Sequence, residues 1–151
     1  MIETLADKVG QMLMGGFDGT TAPDYFLEWL REGRLGGVIL FARNVESAAQ
    51  LAALTDSLHA AAKYPLLVAI DQEGGTVARL RRGFSESVGA LALASVYDDP
   101  VGATERASAV LGVEMHALGI DWTYAPVVDI TYNAANPTVG TRSFGTDAEA
   151  V

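Results

Sequence analysis

Residues 65–80 read PLLVAIDQEGGTVARL. An unbroken apolar run, Leu66 to Ile70, meets Asp71, Gln72 and Glu73 without a transition. Gly74 and Gly75 follow, and Arg79 stands eight positions past the aspartate. A short apolar run without alternation predicts a strand buried on both faces, as in a parallel sheet covered by helices. Its charged end is then the informative part. In parallel α/β sheets, ligand-binding groups gather beyond the carboxyl ends of the strands.

The same unit recurs on either side. Upstream, QMLMGGF (11–17) is a short apolar run ended by glycines, and APDYFLEWLREGRL (22–35) spaces Tyr25, Phe26, Trp29 and Leu30 as a helix would. GGVILFARN (36–44) is a second strand ending in a polar pair, Arg43 and Asn44. From Val45 to about Ala62 the leucines at 51, 54 and 58 form one helical stripe, with Asn44 as its expected cap. Downstream, a longer connection carries glycines at 74, 75, 83 and 89. A helix then begins with Asp99 as cap and Pro100 in its first turn, its apolar face running Ala103, Ala107, Val110, Leu111, Ala117, Leu118, and Gly119 stops it. IDWTYAPVVDI (120–130) is a fourth strand, TYNAANPTVGTRSFG (131–145) a loop, and TDAEAV the start of a helix.

Strands apolar on both faces, alternating with helices, fit two architectures: an open doubly wound sheet and a (β/α)8 barrel. A doubly wound nucleotide binder should carry a glycine-rich turn between its first strand and helix. GGFDGT (15–20) lacks the dinucleotide spacing, and no Walker lysine follows. The barrel is therefore preferred. Residues 1–151 are read as its N-terminal portion, about four β/α units of the eight, forming one partial domain. A half barrel has unpaired edge strands and apolar surface that helices would cover, so self-association is expected.

Composition narrows the function. Half of the 151 residues are apolar, enough for a real core. A net charge of −9 argues against nucleic acid and against anionic lipid as partners. With no cysteine there is no thiolate metal site and no thiol nucleophile, and a cytoplasmic location is expected. The N-terminus lacks the pattern of a signal peptide, and no window is long enough to span a membrane.

Asp71, Glu73, Arg79, Asp129 and Arg142 are the groups placed to do chemistry. Carboxylates accept bidentate bonds from adjacent sugar hydroxyls, and arginine forks donate to them. The competing reading is an internal salt bridge, Asp71 to Arg79 or Arg142, that organises the loops. Glu73 is read as an orienting or loop-packing group, and Glu114 as a structural hydrogen-bonding group. Asp129 serves either as a site-facing group or as a loop anchor. Trp122 and Tyr124 are expected to pack against helices more than to stack on a ligand. His59 and His116 are ordinary helix residues. Ser143 lacks the setting of a nucleophile. Glu3, Asp7 and Asp18 are read as solvated surface. No metal site and no cofactor are indicated.

LGGVILFARN, AIDQEGGTVARL, ALGIDWTYAPVVDI and NPTVGTRSFGTD together resemble the N-terminal barrel of the glycoside hydrolase family 3 enzymes. The likeness covers nearly the whole chain in the family's order. The D-Q-E-G-G block points to the β-N-acetylhexosaminidase branch, which acts on cell-wall glucosaminides. The resemblance implies a retaining, exo-acting β-N-acetylglucosaminidase with no cofactor, acting on N-acetylglucosaminyl saccharides or muropeptides. It implies that Asp71, Arg79 and Arg142 hold the non-reducing sugar by its hydroxyls. It also implies a Lys-His pair on the next strand, an acid/base His on a mobile loop and a nucleophilic Asp. All of these are expected beyond Val151, so the chain alone is expected to be catalytically silent. A β-glucosidase of the same family, a non-catalytic glycan-binding module and a nucleotide-binding domain are the alternatives.

Overall fold

The computed structural model describes every residue except Met1, Glu3 and Ala134. The expectation for Glu3 therefore lies outside the described residues. The chain divides into two compact units, Met1–Ile70 with Met115–Trp122, and Asp71–Glu114 with Thr123–Val151.

The first unit is built on a parallel sheet. Strands β1 (Met14–Gly15), β2 (Gly37–Leu40) and β3 (Leu67–Ile70) pair in chain order, with Met14 beside Gly37, Val38 beside Val68 and Leu40 beside Ile70. Residues 120–122 join beyond β3: Asp121 donates its N–H to Val68 O at 2.8 Å, and its carboxylate accepts from Val68 N at 2.9 Å. An open doubly wound sheet reverses its strand order at a switch point. The sheet order here runs one way, with the strand at 122–123 taking the fourth place, as the barrel reading requires.

Helices α1 (Leu5–Gly10), α2 (Asp24–Arg31) and α3 (Ala48–Ala61) belong to this unit. Of the four aromatic and aliphatic positions predicted for α2, Phe26 and Leu30 enter the core, while Tyr25 and Trp29 stay exposed. The stripe Leu51, Leu54, Leu58 on α3 is buried as expected, alongside Val38, Leu40, Val68 and Ile70. Burying each such side chain stabilises the fold by about 1.5–3 kcal/mol.

Two sequence expectations fail here. The cap of α3 is Ser47, whose Oγ accepts from Gln50 N at 3.2 Å. Asn44 is instead fully buried in the 3-10 turn Ala42–Asn44. Its Oδ1 accepts from Phe41 N at 2.9 Å, and its Nδ2 donates to Phe17 O at 3.0 Å and Gly19 O at 2.8 Å. Asn at this position ties the end of β2 to the loop after β1. Asp7 is also buried instead of solvated. It closes a capping box with Thr4, whose hydroxyl donates to Asp7 Oδ2 at 2.6 Å, and Lys63 Nζ donates to Asp7 Oδ1 at 2.9 Å. Asp18, in contrast, is exposed and pairs with Arg43. Leu5 and Val9 on α1, and Met12 just after it, are open to solvent.

The second unit opens with a hairpin that the pattern did not announce. Strands β4 (Gln72–Gly74) and β5 (Val77–Ala78) are antiparallel, with Gln72 opposite Ala78 and a bulge before Gly74 meets Val77. Helix α4 (Ala90–Val96) was read as connection; its sequence ALALASV is too short and too uniformly apolar to show a period. Helix α5 (Pro100–Ala117) starts as predicted, with Asp99 Oδ1 accepting from Gly102 N at 2.9 Å. Within the second unit its buried positions are Ala103 and Leu111, whereas Val110 is 54% exposed; its last residues, from Met115 on, belong to the first unit. Strand β6 (Trp122–Thr123) is far shorter than the predicted 120–130, because Pro126 offers no N–H to a ladder. The expected helix at TDAEAV is a single turn, Val151 N donating to Asp147 O at 3.1 Å.

The Thr4 hydroxyl, then Lys63, hold the Asp7 carboxyl well below its ordinary value of 3.8. A folded-state pKa below the unfolded one means stability that is present above that value and lost as pH falls through it. Thermal unfolding of wild type and Asp7→Asn should therefore differ in full above about pH 4 and draw together progressively as the pH falls below it. A gap that persists unchanged in acid would show that the Asp7 carboxylate is not its source.

Candidate functional site

In the second unit the strand-end sequence D-Q-E places alternate side chains on opposite sides of β4. Asp71 and Glu73 go one way and Gln72 the other. Gln72 is only 2% exposed, and both ends of its amide are bonded. Its Oε1 accepts from Arg79 N at 2.8 Å and Leu80 N at 3.0 Å, and its Nε2 donates to Leu80 O at 3.1 Å. Gln72 N in turn donates to Thr123 Oγ1 at 3.1 Å. One buried amide thus sets where the chain returns after the hairpin, and with it the root of Arg79.

From that root, Arg79 Nη2 donates to Asp71 Oδ2 at 2.8 Å. The pairing of Asp71 with Arg79 foreseen as the competing reading is real. The pairing of Asp71 with Arg142 is not made. Arg142 forks onto Glu73, Nε to Oε2 at 2.8 Å and Nη2 to Oε1 at 2.7 Å, and its Nη1 donates to Thr138 O at 2.9 Å. Glu73 is the more enclosed partner, its side chain 10% exposed against 31% for Arg142. The hydrogen bonds that Arg142 donates to Glu73 raise the Arg142 pKa above its ordinary value, and the negative charges of Glu73, Asp129 and Asp71 add to the effect against the opposing cost of burial. Asp71, Glu73, Arg79, Asp129 and Arg142 are thus drawn into one electrostatic cluster.

Backbone packing sets how Arg142 reaches Glu73. Gly74 and Gly75 have φ of 90° and 57°, a region that disfavours any side chain. A Cβ on Gly75 would stand 2.7 Å from Gly89 Cα, and one on Gly89 would stand 3.2 Å from Thr141 O. Gly75 N donates to Ser87 O at 2.8 Å. The glycines therefore let segment 87–89, and next to it the 3-10 turn Gly140–Arg142, approach the hairpin directly. Ser143 fastens the next residues: fully buried, its hydroxyl donates to Asp129 O at 2.6 Å and accepts from Gly145 N at 3.1 Å. Asp129 therefore anchors the loop through its backbone, and its negative charge helps raise the Arg142 pKa.

Glu114 is structural as expected, its two oxygens accepting from Ser85 N at 3.1 and 3.0 Å. Trp122 and Tyr124 remain 48% and 45% exposed, more open than packing against helices would leave them. In the first unit, His59 Nε2 lies 3.1 Å from Gly119 O and 3.7 Å from the Asp121 carboxylate, while His116 is exposed on α5. Among the described residues no three His, Cys, Asp or Glu side chains group to hold a metal ion, and no helix is long and apolar enough to cross a membrane.

Sequence reasoning named all five charged residues but missed Gln72 and Thr138. The signal for Gln72 was present. A residue between two strand-end acids points the opposite way, and a polar one there must find buried partners.

The model of the glycosyl hydrolase family 3 N-terminal domain matches residues 4–151. A β-hexosaminidase from Alkalilimnicola ehrlichii is 42% identical over 143 residues, covering 92% of this chain and 41% of that protein. One from Bordetella avium is 44% identical over 127 residues, covering 81% and 36%. Among solved structures, a glycoside hydrolase family 3 β-N-acetylglucosaminidase from Paenibacillus sp. FPU-7 superposes with a TM-score of 0.92 at 41% identity, covering 98% of this chain and 28% of that one. NagZ from Neisseria gonorrhoeae gives 0.83 at 31%, covering 91% and 41%. The chain thus spans about two fifths of the length of the curated relatives it matches.

Replacing Gln72 with Leu would leave two backbone N–H groups and one carbonyl buried without partners. A loss of about 2–4 kcal/mol in unfolding free energy is expected, measured by denaturant titration. A variant as stable as wild type would mean the hairpin return is held by something else.

Proposed function

The chain belongs to glycosyl hydrolase family 3, through that family's N-terminal domain, and on this premise we propose that it provides the sugar-holding surface of a retaining, exo-acting β-N-acetylglucosaminidase. The substrates are N-acetylglucosaminyl saccharides derived from the cell wall. The single observation that carries the reading is the cluster of Asp71 with Arg79 and Glu73 with Arg142, on relatives that are named β-hexosaminidase and β-N-acetylglucosaminidase.

The roles follow from the free valences of the cluster. Asp71 gives one oxygen to Arg79 and keeps Oδ1 to accept from a sugar hydroxyl. Arg142 spends three of its five N–H groups on Glu73 and Thr138, and two remain to donate to a hydroxyl or an acetamido oxygen. A charged acceptor and charged donors bond sugar hydroxyls more strongly than neutral partners do. Because the loops are fixed by backbone contacts, little order must be created on binding. Retaining hydrolysis also needs a nucleophile and a proton donor on opposite sides of the anomeric carbon. No residue of this chain is assigned either role.

The test is binding without turnover. In an NMR titration of the 151 residues, N-acetylglucosamine should bind more tightly than glucose, and nitrophenyl N-acetylglucosaminide should bind unhydrolysed. Asp71→Ala should weaken binding at least about tenfold, the loss of one charge-assisted bond. A preference for glucose would move the reading to a β-glucosidase. Binding indifferent to Asp71 would remove the site.

A further inference from the structure

The bidentate hold of Glu73 on Arg142 carries a consequence for selectivity. Glu73 is nearly enclosed, and its two oxygens occupy the side-on edge of the guanidinium, Nε with Nη2, and neutralise its charge at close range. A guest meets only the remaining N–H groups, in a plane already fixed by Glu73 on one side and Thr138 O on the other. Carboxylates outnumber guanidiniums in the cluster: Asp71 faces Arg79, Glu73 faces Arg142, and Asp129 adds further negative charge. An anionic guest would meet guanidiniums already neutralised and three carboxylates.

We propose that Glu73 is a positioning and selectivity residue: by holding the side-on edge of Arg142 and neutralising its charge, it orients the guanidinium toward neutral hydroxyl or amide oxygens and excludes acidic sugars. The inference rests on the sugar-binding reading given above. It adds that selection against anionic sugars resides in a side chain that does not itself touch the sugar.

The experiment is an NMR titration of wild type, Glu73→Gln, Arg142→Ala and the double variant with N-acetylglucosamine and with glucuronic acid. Glu73→Gln keeps the size of the side chain and removes the charge. It should weaken N-acetylglucosamine binding about tenfold and narrow its preference over glucuronic acid by a similar factor. In the Arg142→Ala background the same substitution should cost nothing more, since a residue acting through Arg142 has nothing left to orient. The Arg142 Nε–H resonance, sharp and slowly exchanging in wild type, should broaden in Glu73→Gln even without sugar. If Glu73→Gln binds both sugars as wild type does, or its loss adds in full to that of Arg142→Ala, the inference is overturned while the sugar site stands. If Arg142→Ala binds like wild type, or wild type binds neither sugar, the sugar-binding reading is overturned and the inference falls with it.

Discussion

The amide of Gln72 sits between two carboxylates and holds the backbone of Arg79 and Leu80 through three hydrogen bonds. A buried polar group without partners costs about 1–3 kcal/mol, so this side chain must either be satisfied there or leave the core. Its satisfaction requires the chain to turn back within eight residues and run antiparallel to β4. That return is what sets Arg79 beside Asp71. The exposed chemistry of the site thus follows from a neutral group that never reaches solvent.

The second pair depends on a different kind of constraint. Glu73 and Arg142 are 69 positions apart in the chain. They meet because backbone lies on backbone at Gly75, Gly89 and Thr141. Once brought together, a partly enclosed bidentate pair resists separation, because breaking it leaves a poorly solvated carboxylate. One pair comes from local pleating and the other from long-range packing, and the cluster needs both.

Much of this was legible. The buried strand ending in charge, the helices around it and the parallel sheet followed from apolar patterning, because tertiary burial writes directly into that pattern. The five charged residues were legible because acids and arginines at strand ends and in turn-rich loops have few structural reasons to be there. Pairing was not. The sequence left Asp71 able to meet Arg79 or Arg142; the hairpin return, which sets Arg79 beside Asp71, and the backbone packing at Gly75, Gly89 and Thr141 are what assign Arg142 to Glu73. The hairpin 72–78 hid behind its glycines, which read as loop. Asn44 and Asp7 were misplaced for a common reason: both satisfy distant groups, Phe17 O and Gly19 O in one case and Lys63 in the other, that no local window contains. On α5 the apolar alphabet was too permissive, since valines and alanines lie on more than one face of the helix.

The seam where Gly75 meets Gly89 has no side chain in it. Elsewhere in a protein, the gap between two segments drifts as substitutions swell or shrink the groups that separate them. Here the gauge is the peptide group itself, whose dimensions no point mutation alters. Descendants of this sequence could recolour the surroundings freely, yet the span across which an acid and a base face one another would stay calibrated by covalent geometry for as long as both glycines are kept.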